Sequence, residues 1–404
     1  MYHGRLRSSK KRQSEEVHNN PNKRHSVHDI RKIGEFDIET WKNCFQYLDD
    51  EDLANVAYVN RTFKALAERL FHKRHKGEMR IQMNVTGWKP IACRFKNIIS
   101  SLYLTGPTIP YSERILDFFG QFLTKSLKEI TFGCIQMNHF KNIKFQRKFL
   151  KLESLSFVVC QLELGDITQL DLWCPNLKSL TLSACTIRNS TIFEQFIPSL
   201  EDVTLFDIFD DVTNEKLVNF FTLNPQLKRI AVDLPYQITF ESLSIVNEKL
   251  MNLEKMKWRC DDFELLPNFQ QQFLNLKELS FLMDFSGTYS NQLLTIVKNL
   301  PQIELIQVVN CRKNTMTNFD LVELITACTT LKTLEIFSTS LERKLEFSYD
   351  LHRQICRATA NRSTINISLY FQSPFPTKRF IITKKWIKED GRLIILAPDN
   401  LSNY

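Results

Sequence analysis

Cys174-Pro175-Asn176-Leu177-Lys178-Ser179-Leu180-Thr181-Leu182-Ser183-Ala184-Cys185 sets three leucines in a fixed frame. Leu177 is followed by two variable positions, Leu180, one variable position and Leu182. Apolar residues two apart make a short strand with one buried face. The same frame recurs on both sides. Upstream it reads Leu152-Leu155-Phe157, Leu127-Ile130-Phe132 and Ile99-Leu102-Leu104. Downstream it reads Leu200-Val203-Leu205, Leu227-Ile230-Val232, Leu253-Met256-Trp258, Leu276-Leu279-Phe281, Ile303-Ile306-Val308 and Leu331-Leu334-Ile336. Thr364-Ile367-Leu369 is a last, degenerate copy. Over the ten copies from Ile99 to Leu331 the interval stays between about 23 and 28 residues, a repeat length that marks stacked supersecondary units.

One strand and its connection cannot bury both apolar faces alone; stacked units can. Some connections carry helical spacing, as in Ile192, Phe193, Phe196 and Ile197, or Leu293, Leu294, Ile296, Val297 and Leu300. The expected fold class is α/β, a right-handed leucine-rich-repeat solenoid with a parallel sheet on its concave side and helices outside. Repeats, about 10–11 of them, span residues 99–370, and 77–98 reads as a linker or N-terminal cap. Residues 371–404 read as a C-terminal cap, with a hairpin turning at Asp390-Gly391 between Arg379–Ile382 and Arg392–Leu396. Part of the partner site is the rival role for that tail.

The cysteines fit the frame. Cys160, Cys185 and Cys311 stand three residues after the last strand anchor, where a small side chain turns inward. Cys174 and Cys328 stand three residues before the first anchor. Pro175, Pro198, Pro225 and Pro301 stand two before one, where an extended segment must begin. These are structural, unreactive cysteines.

The chain has 404 residues and a net charge of +8, but the charge is uneven. Between Met1 and Lys32 nine Lys/Arg face three Asp/Glu, so the body is nearly neutral and no nucleic-acid-binding domain is implied. Residues 1–30 lack the apolar surface to offset ordering and read as a disordered basic tail. Lys10-Lys11-Arg12 and Lys23-Arg24 fit either a loose two-part nuclear-import signal or a solvated, solubilising tail. No secretory h-region or membrane-length apolar run is present, so the expected location is cytoplasmic, nuclear or both, without a membrane.

Between the tail and the repeats, residues 33–76 change to helical spacing. Phe36, Trp41, Phe45 and Leu48 form one stripe, and Leu53, Val56, Ala57 and Val59 a second, after acidic Asp49–Asp52 at a helix start. Phe63, Leu66, Ala67 and Leu70 continue it on a third helix after Asn60. So small a unit gains from packing on a partner.

Phe36-Asp37-Ile38-Glu39-Thr40-Trp41-Lys42-Asn43-Cys44-Phe45-Gln46-Tyr47-Leu48, with Asp52-Leu53 and Val59-Asn60-Arg61-Thr62-Phe63, resembles an F-box. Phe36 stands at the family's Leu, Asp37 at its Pro, Glu39 at its Glu and Phe63 at its Trp. The repeats resemble the cysteine-containing leucine-rich-repeat subtype. The domain order resembles the F-box/leucine-rich-repeat family. That resemblance implies a non-catalytic substrate receptor of an SCF (Skp–cullin–F-box) ubiquitin ligase, promoting degradation of an unidentified target. The Skp-type adaptor, and the cullin through it, would meet Phe36, Ile38, Trp41, Phe45, Leu48, Leu53, Val56, Val59 and Phe63, several of which also qualify as three-helix core. Two other readings stay open. One is a ligase-independent interaction scaffold. The other is a repeat inhibitor or effector whose N-terminal helices only cap the array.

On the concave face the outward positions bring Arg229, Lys255, Lys257 and Arg259 onto two neighbouring strands about 4.8 Å apart. They suit an acidic or phosphorylated target segment, or an ordinary mixed surface, with Asp202 and Asp233 near enough to neutralise part of the charge. Phe206, Leu282, Val309 and Phe337 offer an apolar contact patch instead. Phosphate-binding glycine loops, C-x-x-C pairs and catalytic constellations are absent, so no cofactor, metal or catalytic residue is expected. His72 and His75 share a helix face, but Lys73, Arg74 and Lys76 beside them disfavour a cation.

Overall fold

The computed structural model describes residues 36–82, 87–106, 119, 121–134, 149–163, 170–188, 191–208, 212–234, 248–260, 274–283, 290–311, 317–338, 349–358, 365–371, 384–387 and 393–397. The basic tail lies outside these residues. The chain divides into two compact units, Met1–Leu70 and Phe71–Tyr404.

The first unit shows α1 (Ile38–Phe45), α2 (Asp50–Val56) and the start of α3 (Arg61–His75) among the described residues. Each helix begins where a side chain accepts a bond from a free backbone N–H of its first turn. Asp37 accepts from Thr40 N at 2.6 Å, Asp49 from Asp52 N at 2.7 Å and Asn60 from Phe63 N at 2.8 Å. Leu53, Ala54, Ala57 and Phe45 are buried between them.

The second unit is α/β, built on one 14-stranded sheet. Its strands are β1 (Glu78–Gln82), β2 (Ser101–Thr105), β3 (Glu129–Gly133), β4 (Ser154–Val158), β6 (Ser179–Ser183), β8 (Asp202–Phe206), β9 (Arg229–Asp233), β10 (Lys255–Cys260), β11 (Glu278–Met283), β12 (Leu305–Cys311), β13 (Thr333–Ser338), β14 (Ile365–Phe371), β16 (Leu393–Ala397) and β15 (Lys384–Ile387), in that spatial order. From β1 to β14 every neighbouring pair is parallel. Parallel neighbours in chain order need one crossover per strand, which is what the sequence interval supplies. Successive triplets sit in register: Leu180 pairs with Leu155 on one side and Val203 on the other. All the triplet anchors from Ile99 to Leu334 are at most 6% exposed.

The sheet starts one strand before the first triplet. Residues 77–98 hold β1, parallel to β2, and α4 (Trp88–Arg94). Met79 and Ile81 supply β1 with two buried residues, too few to show as a triplet. Gly77, at φ +87°, passes its carbonyl to the N–H groups of Ser100 and Ser101, and a Cβ there would meet Ser100 Oγ at 2.7 Å. The same two-donor bond then steps along the sheet edge, through the carbonyls of Ser100, Lys128, Glu153, Lys178, Glu201, Lys228, Glu254, Lys277 and Glu304. Neighbouring strands are thereby locked before their ladders begin.

The connections are less uniform than the strands. The stretch around Ile192 is a short 3-10 turn (Thr191–Glu194), not an α-helix, and Phe196 points to solvent while Ile192, Phe193 and Ile197 are buried. The other apolar run does form a helix, α7 (Ser290–Lys298), which packs on α8 (Asn318–Ala327), and α8 on α9 (Tyr349–Ala358). Shorter α5 (Leu170–Trp173) and longer α6 (Asn214–Leu223) fill earlier connections. A second, two-stranded sheet joins β5 (Gln161–Glu163) to β7 (Thr186–Arg188), each just after an inward cysteine. Cys160 Sγ donates to Phe132 O and Cys185 Sγ to Phe157 O, both at 3.4 Å. At the chain's end β15 and β16 pair antiparallel in a register centred on Asp390-Gly391. The first strand is Lys384–Ile387; Arg379–Ile382 and the turn lie outside the described residues.

Candidate functional site

Two surfaces carry the residues singled out by the sequence, one in each unit. In the first unit an aromatic cluster organises the helices. Trp41 lies 4.8 Å from Phe63 and 5.8 Å from Phe45, and Phe36 meets Trp41 edge-on at 5.6 Å. Phe45 and Phe63 are themselves edge-to-face at 5.1 Å. Such pairs add to burial and fix ring orientation.

Burial separates the nine adaptor candidates into three sets. Phe45 and Leu53 are interior and hold the helices together. Trp41, Leu48, Val56 and Phe63 are half-buried. Phe36, Ile38 and Val59 stay 56%, 62% and 67% exposed. Tyr47 and Tyr58, which helical spacing did not select, are exposed too, because both sit in turns just past a helix end. Large apolar groups left in water on so small a unit are suited to a partner. Asp37 does not break the motif: as N-cap of α1 it does a different job from proline, supplying an acceptor where proline would supply a fixed φ. The model of the F-box domain family matches residues 33–75. This F-box coincides with the helical unit and its aromatic cluster. No curated protein sequence matches the chain.

The second surface lies across β8 to β11, on the outward face of the sheet. Arg229 stands beside Lys255 in register, and Lys257 stands between Ala231 and Ser280. The four cations read as a crowded patch are mostly paired. Arg229 makes a two-pronged bond to Asp202, which holds its guanidinium above the ordinary value through that hydrogen bond. Lys255 Nζ lies 2.7 Å from Glu278, and Arg259 Nη1 lies 2.8 Å from Asp233. Asp202 and Asp233 follow from the strand pattern, but Glu278 does not, because its role needs the β10–β11 register. Lys257 is exposed and has no ion-pair partner among the described residues.

Between these groups the sheet surface is indented by about 370 Å³. The indentation follows from Ala231, whose side chain ends at Cβ in a row otherwise occupied by Thr204, Lys257 and Ser280. Beyond it the row closes on itself: Ser280 Oγ donates to Gln307 Oε1 at 3.2 Å, and Gln307 Nε2 donates to Glu335 at 2.8 Å. Of the apolar candidates, Phe206 is exposed and Val309 half-buried. The Leu282 and Phe337 side chains lie outside the described residues, although Phe337 is placed in β13 opposite Tyr370. His75 packs its ring on Phe71, centroids 4.6 Å apart. No group of three or more His, Cys, Asp or Glu is placed to hold a metal ion among the described residues.

Proposed function

We propose that this chain is the substrate-recognition subunit of an SCF-type ubiquitin ligase. The F-box holds a Skp-type adaptor, and through it a cullin. The parallel sheet is the inner wall of a right-handed leucine-rich-repeat solenoid and holds the target protein. The carrying observation is the F-box match over a helical unit whose Phe36, Ile38 and Val59 remain in water. One strand per repeat, in chain order, with a hydrogen-bonded edge along the strand starts, supports the solenoid. In this reading the chain positions a target and leaves ubiquitin transfer to its partners, in the cytosol or nucleus.

The test is retention of a recombinant Skp-type adaptor by the purified full chain. Wild type retains it. Ile38→Glu loses it while the circular dichroism spectrum is unchanged, since Ile38 is exposed. Absence of adaptor binding by the wild-type chain would overturn the reading. Adaptor retention without cullin recruitment would point to a scaffold that acts outside the ligase.

A further inference from the structure

We propose that the indentation over Ala231 receives one acidic side chain of the target, an Asp or Glu carboxylate bound by Lys257. This rests on the reading of the sheet as the target-binding wall. The argument is one of charge and shape. Arg229 is occupied by both oxygens of Asp202, and Lys255 by Glu278. Those four charges cancel, and they form the rim along the start of strands β8 to β11. Lys257 alone of the lining residues brings an unbalanced charge to the indentation, of one unit. A single carboxylate matches it. A phosphoryl group carries about −1.5 to −2 charges near neutral pH and would leave negative charge beside Asp202 and Glu278.

Shape selects the same occupant. Ala231 leaves room beside Lys257 for the stem of an inserted side chain, in a space of about 370 Å³. Ser179 and Thr204 border it with hydroxyl groups able to donate to an oxygen, while Ser280 beside them already donates to Gln307. The flanking ion pairs stiffen the rim, so the cavity is formed before anything enters it.

The experiment uses the immobilised full chain and random dodecapeptide pools with glutamate, glutamine or phosphoserine fixed at the centre. The glutamate pool is retained about fivefold over the glutamine pool, the scale of a part-exposed ion pair. Lys257→Gln removes that ratio. Ala231→Leu, which fills the space and leaves every charge in place, removes it too. Equal retention of glutamate and glutamine by the wild type would overturn the proposal. So would a preference that survives Lys257→Gln, or a phosphoserine pool retained above the glutamate pool. The same preparations are scored for adaptor binding. Adaptor retained without a pool preference sinks this site and leaves the receptor reading standing; the opposite pattern does the reverse.

Discussion

Lys178 Nζ lies 3.3 Å from the carboxylate of Glu153, the residue at the same position one repeat earlier. The relationship repeats down the sheet edge: Lys228 with Glu201 at 3.1 Å, Lys277 with Glu254 at 3.8 Å, Lys332 with Glu304 at 2.8 Å. All lie one residue after the first anchor of a triplet, where the two-donor backbone bonds run. From Lys128 to Lys332 that position alternates Lys and Glu without a break. Stacking places these side chains side by side, so each like-charged neighbour would repel and each opposite one attracts. Alternation is the one two-letter pattern in which a charge never meets its own sign.

Glu201→Lys puts three lysines in a row, at 178, 201 and 228. The pairs are part-exposed, so the expected loss is up to about 1 kcal/mol at low ionic strength. Screening should shrink it strongly in about 1 M salt, where the Debye length is near 3 Å. Chemical denaturation at both salt concentrations reads it. A loss that ignores salt would mean the effect is packing, not charge.

This ladder was legible in the sequence, yet only after the triplets had been aligned, because a Lys or Glu every 25 residues or so looks like ordinary surface. The anchors themselves were legible outright: burial on one face forces period two, and stacking forces the interval. Met79 and Ile81 of β1 were not, since an end strand needs fewer anchors and shows no third residue. The four cations were found, but their neutralisation was only half visible. Asp202 and Asp233 share or adjoin their strands, whereas Glu278 meets Lys255 through a register that pattern alone does not fix. Exposed Tyr47 and Tyr58 were not legible, because turn residues follow no helical period.

Asp37 occupies the family's proline position and caps α1 through Thr40 N. That hydrogen bond holds its carboxyl below the ordinary value of 3.8. A depressed folded value means the contribution is fully present above pH 3.8 and is lost as pH falls through the folded value. Asp37→Ala should speed deuterium exchange at the Thr40 amide, and Asp37→Asn should largely preserve its protection. The advantage of wild type over Asn should vanish in acid. Exchange unaffected by Asp37→Ala would show that the adjoining helices, not the cap, hold α1.

The thiols divide by burial. Cys160, Cys174, Cys185 and Cys328 are buried, and burial pushes the Cys174 thiol up to about 12. Alkylation needs an accessible thiolate. Iodoacetamide on the native chain should therefore label Cys44 and Cys134, which are exposed, well before those four. Peptide mass spectrometry over time separates the sets. Labelling of Cys174 at the pace of Cys44 would mean that the repeat core opens freely.

Asn224 is buried in a column, three residues before each first anchor from Leu152 to Leu331, that otherwise holds Phe149, Cys174, Ile197, Leu250, Leu300 and Cys328 among the described residues; the two earlier repeats carry Lys96 and Thr124 there. Its amide explains the exception. The side-chain oxygen accepts from Ile197 N at 2.9 Å, and the nitrogen donates to Gln195 O and Phe220 O, both at 2.9 Å. It thus ties the repeat containing α6 to the one before, where only a 3-10 turn is available. Asn224→Leu matches the apolar column yet strands the buried Ile197 N–H away from water. The expected cost is about 1–3 kcal/mol, that of one unsatisfied buried group. Asn224→Asp keeps the acceptor but sets a carboxylate against two carbonyl oxygens. Its folded pKa should rise, so this variant should gain stability relative to wild type as pH falls and protonation restores a donor. Urea denaturation across pH 5 to 8 tests both. If Asn224→Leu matched wild type, the amide would be a filler in that column, and the tie between the repeats would have to lie in the backbone ladder alone.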